Sequence, residues 1–139
     1  RCNEIINKRG IFKNCLKSIF STAVKFYQSC KIDACAYNKD KGLKKQVICR
    51  SFEAFAQNCE AIGVLVNWRK ALKCKLQCRK NMVYKFSTPI YQPSCYNRRV
   101  PRIGKFTEAC VCKKGFILSG TECVRVSSCG CKYKGLYIK

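Results

Sequence analysis

Residues 48–63 read Ile48-Cys-Arg-Ser-Phe52-Glu-Ala-Phe55-Ala-Gln-Asn-Cys59-Glu-Ala-Ile-Gly63. Ile48, Phe52, Phe55, Ala56, Cys59 and Ile62 recur at helical spacing and form one apolar stripe. Gly63 follows the last of them, where glycine is a helix stop signal. Upstream, Phe12, Leu16, Ile19, Phe20, Ala23, Val24 and Tyr27 form a second stripe, with Lys13, Lys17 and Lys25 beside or opposite it. Between the two, Cys30-Lys-Ile-Asp-Ala-Cys35 and the polar run from Asn38 to Lys45 read as a turn and a loop. Two amphipathic helices with cysteines near their ends predict a small, disulfide-stapled helical domain. A basic amphipathic helix can also lie on a membrane surface. The first stripe, however, is flanked by cysteines at both ends, so its apolar face is read as core.

The whole chain shares this cysteine-rich character. Its 139 residues hold 14 cysteines, 29 lysines and arginines, seven acidic residues and no histidine, for a formal net charge of +22. That cysteine density marks a disulfide scaffold. An even count permits seven bridges with no leftover thiol. Such bridges persist in oxidising compartments, so the expected location is secreted or extracellular. Cys110–Cys112 and Cys129–Cys131 are Cys-x-Cys pairs, which raises a reduced metal binder as the alternative. The cysteines are nevertheless spread from Cys2 to Cys131, not gathered in closely spaced pairs, so no metal or other cofactor is expected. No stretch reaches the roughly 18–20 apolar residues that span a bilayer. No Asn-x-Ser/Thr sequon occurs. The chain opens without methionine or a signal peptide, which reads as a mature chain or a processed fragment.

After Trp68 the pattern changes. Gly, Pro, Ser and Asn increase, and only short apolar runs such as Phe116-Ile-Leu118 remain. The shape of such a loop-rich segment must come from its disulfides. The boundary falls near Cys74–Cys78, giving a helical module over 1–77, a loop-rich, short-β module over 78–131 and the start of a tail over 132–139.

The spacing and the residues between the cysteines resemble a pair of extracellular modules. These are the eight-cysteine domain and the trypsin-inhibitor-like (TIL) domain of von Willebrand factor type D assemblies, as in mucins, zonadhesins and tectorins. The first is marked by Phe12-Lys-Asn-Cys15, Cys30-Lys-Ile-Asp33-Ala-Cys35, residues 52–63, Val66-Asn-Trp68-Arg69 and Cys74-Lys-Leu-Gln-Cys78. The second is marked by Asn81-Met-Val-Tyr84, residues 107–120, Cys123-Val and Cys129-Gly-Cys131. A TIL module usually has ten cysteines, and six match here. Ser87, Tyr91 and Phe106 stand where the second, third and sixth would be, and the fifth is missing too. In the family's pairing both partners of two bridges are therefore gone. The pairs the resemblance implies are Cys78–Cys110, Cys95–Cys129 and Cys112–Cys123. Cys2, Cys15, Cys30, Cys35, Cys49, Cys59, Cys74 and Cys131 remain unassigned. If all are paired, Cys131 must reach back to the first module and clip the halves together. The family's upstream calcium-binding module lies outside this sequence, so its calcium dependence is not carried over.

Charge is the strongest functional signal. No acidic residue occurs between Glu60 and Glu108, while 11 cations do: Arg69, Lys70, Lys73, Lys75, Arg79, Lys80, Lys85, Arg98, Arg99, Arg102 and Lys105. A solvated face explains some charge, but solubility needs only about 2–8 net charges in a small domain. The excess points to a polyanion. The candidates are a sulfated or sialylated glycan, an acidic extracellular glycoprotein or an anionic membrane surface. Nucleic acid fits the charge but neither the compartment nor any recognition motif. Tyr84, Tyr91 and Tyr96 interleave with these cations and offer stacking surfaces, although the resemblance has Tyr84 packing internally.

Three alternatives concern the same half or the whole surface. In inhibitory TIL modules a loop is held extended to a protease. The matching segment is Tyr96 to Phe106, with Arg102-Ile103 as the trypsin-like bond, but the bridges that would tether it are missing. Arg99-Val-Pro-Arg102 also resembles a basic processing site. A membrane-active defence protein is the third reading. Catalysis is not expected. Acid–base chemistry needs carboxylates or imidazoles brought together, redox chemistry needs Cys-x-x-Cys, and neither is present. Asp33 is read as a cap of a turn or helix.

Overall fold

The computed structural model describes residues 1–133 and 136–138, with side chains described through residue 130. The chain divides into two compact units, Arg1–Lys75 and Leu76–Lys139.

The first unit is helical. A 3₁₀ turn, Cys2–Ile6, leads into α1 (Lys13–Ala36), then α2 (Lys41–Ala61) and the single turn α3 (Arg69–Leu72). Both stripes face one core. Phe12, Leu16 and Ala23 from the first, and Ile48, Phe52, Phe55 and Cys59 from the second, are buried with Cys15, Ile5 and Trp68. The rings pack edge-on: Phe12 lies 5.1 Å from Phe55, and Phe52 lies 6.1 Å from Trp68. Each such pair adds roughly 0.5–1.5 kcal/mol beyond simple burial. Three bridges brace the unit: Cys2–Cys30, Cys15–Cys59 and Cys49–Cys74.

Local chemistry sets the helix ends. The Asp40 carboxylate accepts the Leu43 N–H at 3.1 Å and caps α2. At its other end Gly63 takes φ 84°, which a glycine adopts without a Cβ clash. Its N–H then reaches the Glu60 carbonyl and the Val64 N–H reaches that of Cys59, both at 2.9 Å. This is the Schellman arrangement.

Several expectations change. The segment from Cys30 to Cys35 is not a turn, because α1 runs on to Ala36. Cys30 and Ala34 are buried and continue the stripe seven and eleven residues beyond Ala23. The loop expected over 38–45 shortens accordingly, since α2 starts at Lys41. Asp33 caps nothing and is exposed in the last turn of α1. Within the first stripe, α1 kinks at Ile19 (φ −130°, ψ 40°), and Phe20 is 37% exposed. There the Lys8 ammonium sits 4.7 Å from its ring centre. The expectation of seven bridges also changes, because Cys35 is exposed and unpaired. The Cys131 side chain, expected to reach back to the first module, lies outside the described residues.

The second unit consists of two-stranded antiparallel ribbons: β1 (Met82–Pro89) with β2 (Phe106–Cys112), β3 (Phe116–Ser119) with β4 (Glu122–Arg125), and β5 (Cys131–Tyr133) with β6 (Leu136–Ile138). Lone two-stranded ribbons are marginal in water. Among the described side chains of this unit only Ile117 and Cys123 are buried apolar residues. Covalent bonds supply what the core does not: Cys78–Cys110, Cys95–Cys129 and Cys112–Cys123 are joined, the same pairs the resemblance implies. Cys112–Cys123 ties β2 to β4.

The Cys15–Cys59 bridge, between the first turn of α1 and the last turn of α2, closes 44 residues. Chain entropy puts its contribution at about 4 kcal/mol. Trp68 is the sole tryptophan and reports on the first unit. A Cys15→Ala/Cys59→Ala variant followed by Trp68 fluorescence in urea should lose about that much stability. A loss below about 1 kcal/mol would show that the aromatic core holds the two helices without the bridge.

Candidate functional site

The 11 cations of the acid-free stretch do not share one environment. Arg69 is only 6% exposed. Its guanidinium donates to the Cys74 carbonyl at 3.1 Å, lies 3.4 Å from a Glu53 carboxylate oxygen and sits 4.4 Å from the Trp68 ring centre. It is therefore removed from the expected anion-binding set. The physical reason is position: α3 turns Arg69 inward to satisfy a buried carbonyl that Cys74 leaves beside the core. An arginine suits this place because it combines several fixed donors with a flat face that stacks on an aromatic ring.

The other ten are exposed. Lys70, Lys73 and Lys75 follow Arg69 in the first unit, with Lys73 in left-handed backbone geometry at φ 56°. In the second unit Arg79 donates to the Thr121 hydroxyl at 3.0 Å. Lys80 lies beside it in sequence, and Lys85 is on β1. Arg98, Arg99, Arg102 and Lys105 occupy the long connection between β1 and β2. None of the ten is paired with a carboxylate among the described residues. Of the three tyrosines, Tyr84 donates to a Glu108 carboxylate oxygen at 2.7 Å across the β1–β2 ribbon. Tyr91 and Tyr96 are exposed.

The β1–β2 connection is closed without the two bridges that are missing. Thr88 pairs with Thr107 and Pro89 with Phe106, and the Ile90 N–H donates to the Lys105 carbonyl at 3.2 Å. Gln92 braces the strand that follows, its amide donating to the Cys110 carbonyl and accepting the Cys112 N–H, both at 3.4 Å. Further out, the Asn97 N–H donates to the Ser94 hydroxyl at 2.9 Å, and the Asn97 carbonyl accepts the Ser94 N–H at 2.9 Å. Gly104 takes φ 69°, a turn that leaves room for the chain to come back to β2.

This closure leaves a groove of about 620 Å³ in the second unit. Its walls include Ile90, Tyr91, Val100, Ile103, Phe106 and Phe116, and Lys85, Arg102 and Lys105 also line it. No acidic residue is among the lining residues. Arg102 and Ile103, the residues of the inhibitory reading, thus belong to a concave surface. Composition gave no sign of this groove. The available signal was the apolar run Pro89-Ile-Tyr91 together with Phe106, two of whose members stand at cysteine positions of the resembled module.

Comparison with known proteins agrees with this division of the chain. Residues 1–75 match the model of the C8 domain, the same span as the helical unit. The chain is 32% identical to pig zonadhesin over 133 residues, covering 94% of the chain and 5% of that protein. It is 36% identical to human IgGFc-binding protein over 117 residues, covering 81% of the chain and 2% of that protein. It is 30% identical to human alpha-tectorin over 139 residues, covering 98% of the chain and 6% of that protein. The chain therefore corresponds to a small segment of each of these much longer proteins.

The two roles of neighbouring cations can be separated. Arg69→Ala leaves a buried carbonyl without its donor and uncovers Trp68, while its ion pair to the 41% exposed Glu53 side chain is screened and worth little. We expect a stability loss of about 2–3 kcal/mol in Trp68-monitored urea unfolding. Lys70→Ala should stay within about 0.5 kcal/mol. Equal effects would contradict the structural assignment of Arg69.

Proposed function

The chain belongs to the C8 domain family, and from that membership we propose that it is a secreted, non-enzymatic binding module for an acidic extracellular partner. The supporting observation is the set of ten exposed lysines and arginines from Lys70 to Lys105, none paired with a carboxylate among the described residues. Cations left in solvent at a net charge of +22 repel one another. Sulfate and carboxylate groups relieve that repulsion and accept charge-assisted hydrogen bonds, bidentate ones from arginine. A sulfated or sialylated glycan, or an acidic glycoprotein, has the matching chemistry. The six described bridges suit the oxidising space in which such partners occur.

The inhibitory reading has weaker support. Tight inhibition relies on a reactive segment held in advance, since ordering it on binding subtracts from affinity. Here Arg102 and Ile103 line a groove of their own unit, and hydrogen bonds replace the missing tethers.

On immobilised heparin the protein should elute at higher salt than on a plain cation exchanger of equal charge density. Reversing Arg98, Arg99, Arg102 and Lys105 to glutamate should lower the slope of log affinity against log salt by about 3 or more, as counterion release predicts for lost anion contacts. Equal retention on the two matrices would refute glycan recognition. A nanomolar trypsin inhibition constant that vanishes on Arg102→Ala would instead establish the inhibitor.

A further inference from the structure

The groove of the second unit has features a polyanion surface does not need. Its volume, about 620 Å³, falls within the range of small-molecule sites, roughly 300–1,000 Å³. The walls are apolar side chains that remain open to water: Ile90 is 39% exposed, Tyr91 51%, Ile103 49% and Phe106 47%. Three cations line the same groove, Lys85 from β1 and Arg102 and Lys105 from the connection, with no acidic group among the lining residues. Apolar surface left in water is unfavourable by about 25 cal/mol per Å², so a ligand that covers these walls gains from each one.

We infer that this groove binds a single-chain amphiphilic anion, a molecule with one alkyl chain and one carboxylate or sulfate head. The chain covers Ile90, Tyr91, Ile103 and Phe106. The head meets Lys85, Arg102 and Lys105. Charge complementarity selects the anion: a cationic or zwitterionic head would place a positive group beside three like charges with no carboxylate in the lining to offset it. The apolar walls distinguish this ligand from a glycan, whose hydroxyls would lose water there without compensation. The inference does not rest on the polyanion reading, since it requires the walls as well as the cations.

The test is a ¹⁵N NMR titration of the full chain with dodecanoate below its critical micelle concentration, beside acetate and 1-decanol. Dodecanoate should shift the amides of Ile90, Tyr91, Ile103, Lys105 and Phe106 saturably, and acetate should not. Arg102→Glu/Lys105→Glu should weaken dodecanoate about tenfold or more, which corresponds to about 1.4 kcal/mol, and leave decanol within about twofold. Ile103→Asp, an exposed substitution that leaves the fold intact, should weaken both ligands while heparin retention is kept. Three results would overturn the inference: acetate acting as well as dodecanoate, shifts spread over exposed lysines outside the groove, or groove amides unmoved by dodecanoate. Retention of the unaltered protein on heparin no stronger than on the cation exchanger, with dodecanoate binding intact, would refute the polyanion reading alone.

Discussion

The Cys15–Cys59 bond is the constraint on which the helical unit depends. It joins the first turn of α1 to the last turn of α2. Phe12 lies three residues from one half-cystine, and Phe52 and Phe55 lie seven and four from the other, and the bond and the rings belong to one buried cluster. A 75-residue unit buries a modest area for its length, and this one also carries the repulsion of a strongly basic sequence. The bridge acts on the unfolded chain and the rings act on the folded one. Cys2–Cys30 and Cys49–Cys74 extend the same device to the opening 3₁₀ turn and to the segment after α3.

In the second unit the balance shifts from a packed core to covalent bonds and backbone pairing. With Ile117 and Cys123 as its buried apolar residues among the described side chains, there is almost no interior to pack. Three bridges and backbone pairing hold the ribbons instead. A unit that does not need its apolar residues inside can leave Ile90, Tyr91, Ile103 and Phe106 facing water. The groove exists because strand pairing and hydrogen bonds, not burial, close the β1–β2 connection within a bridged unit.

Both helical stripes could be read directly, because their spacing repeats the period of the helix, and Gly63 marked the end of α2 correctly. Cys30 was harder. Cysteine ranks with the most buried residue types, yet as a half-cystine it also signals a staple, so Cys30 does not by itself extend the stripe through residues 30–35. Asp33 and Asp40 are the same residue type a short distance apart. Only Asp40 precedes a helix at the N-cap position, and the stripe alone did not reveal that α1 passes through Asp33. The three bridges of the second unit followed from resemblance to a known module and not from spacing, which leaves many pairings open. Arg69 could not have been assigned from sequence. Its neighbours Lys70 and Lys73 look alike in a charge count, and only the direction in which α3 faces the Cys74 carbonyl separates them.

That separation bears on how a formal charge becomes function. At physiological salt the field of an exposed cation is screened within about 8 Å, so a lysine surrounded by water contributes weakly unless several act on one polyanion. Lys85, Arg102 and Lys105 are placed differently, beside the apolar walls of the groove. A ligand filling that space displaces water from around the same cations, and charge interactions strengthen as the local dielectric falls. Arg102 and Lys105 would therefore serve either proposed ligand, a polyanion through charge alone and an amphiphile through charge beside apolar walls. On the proposed polyanion reading, exposed cations within one unit, Arg98 and Arg99 among them, would act together on a multiply charged chain whose binding weakens steeply with salt. On the proposed amphiphile reading, the three at the groove would meet a single anionic head whose alkyl chain keeps much of its contribution when salt is raised.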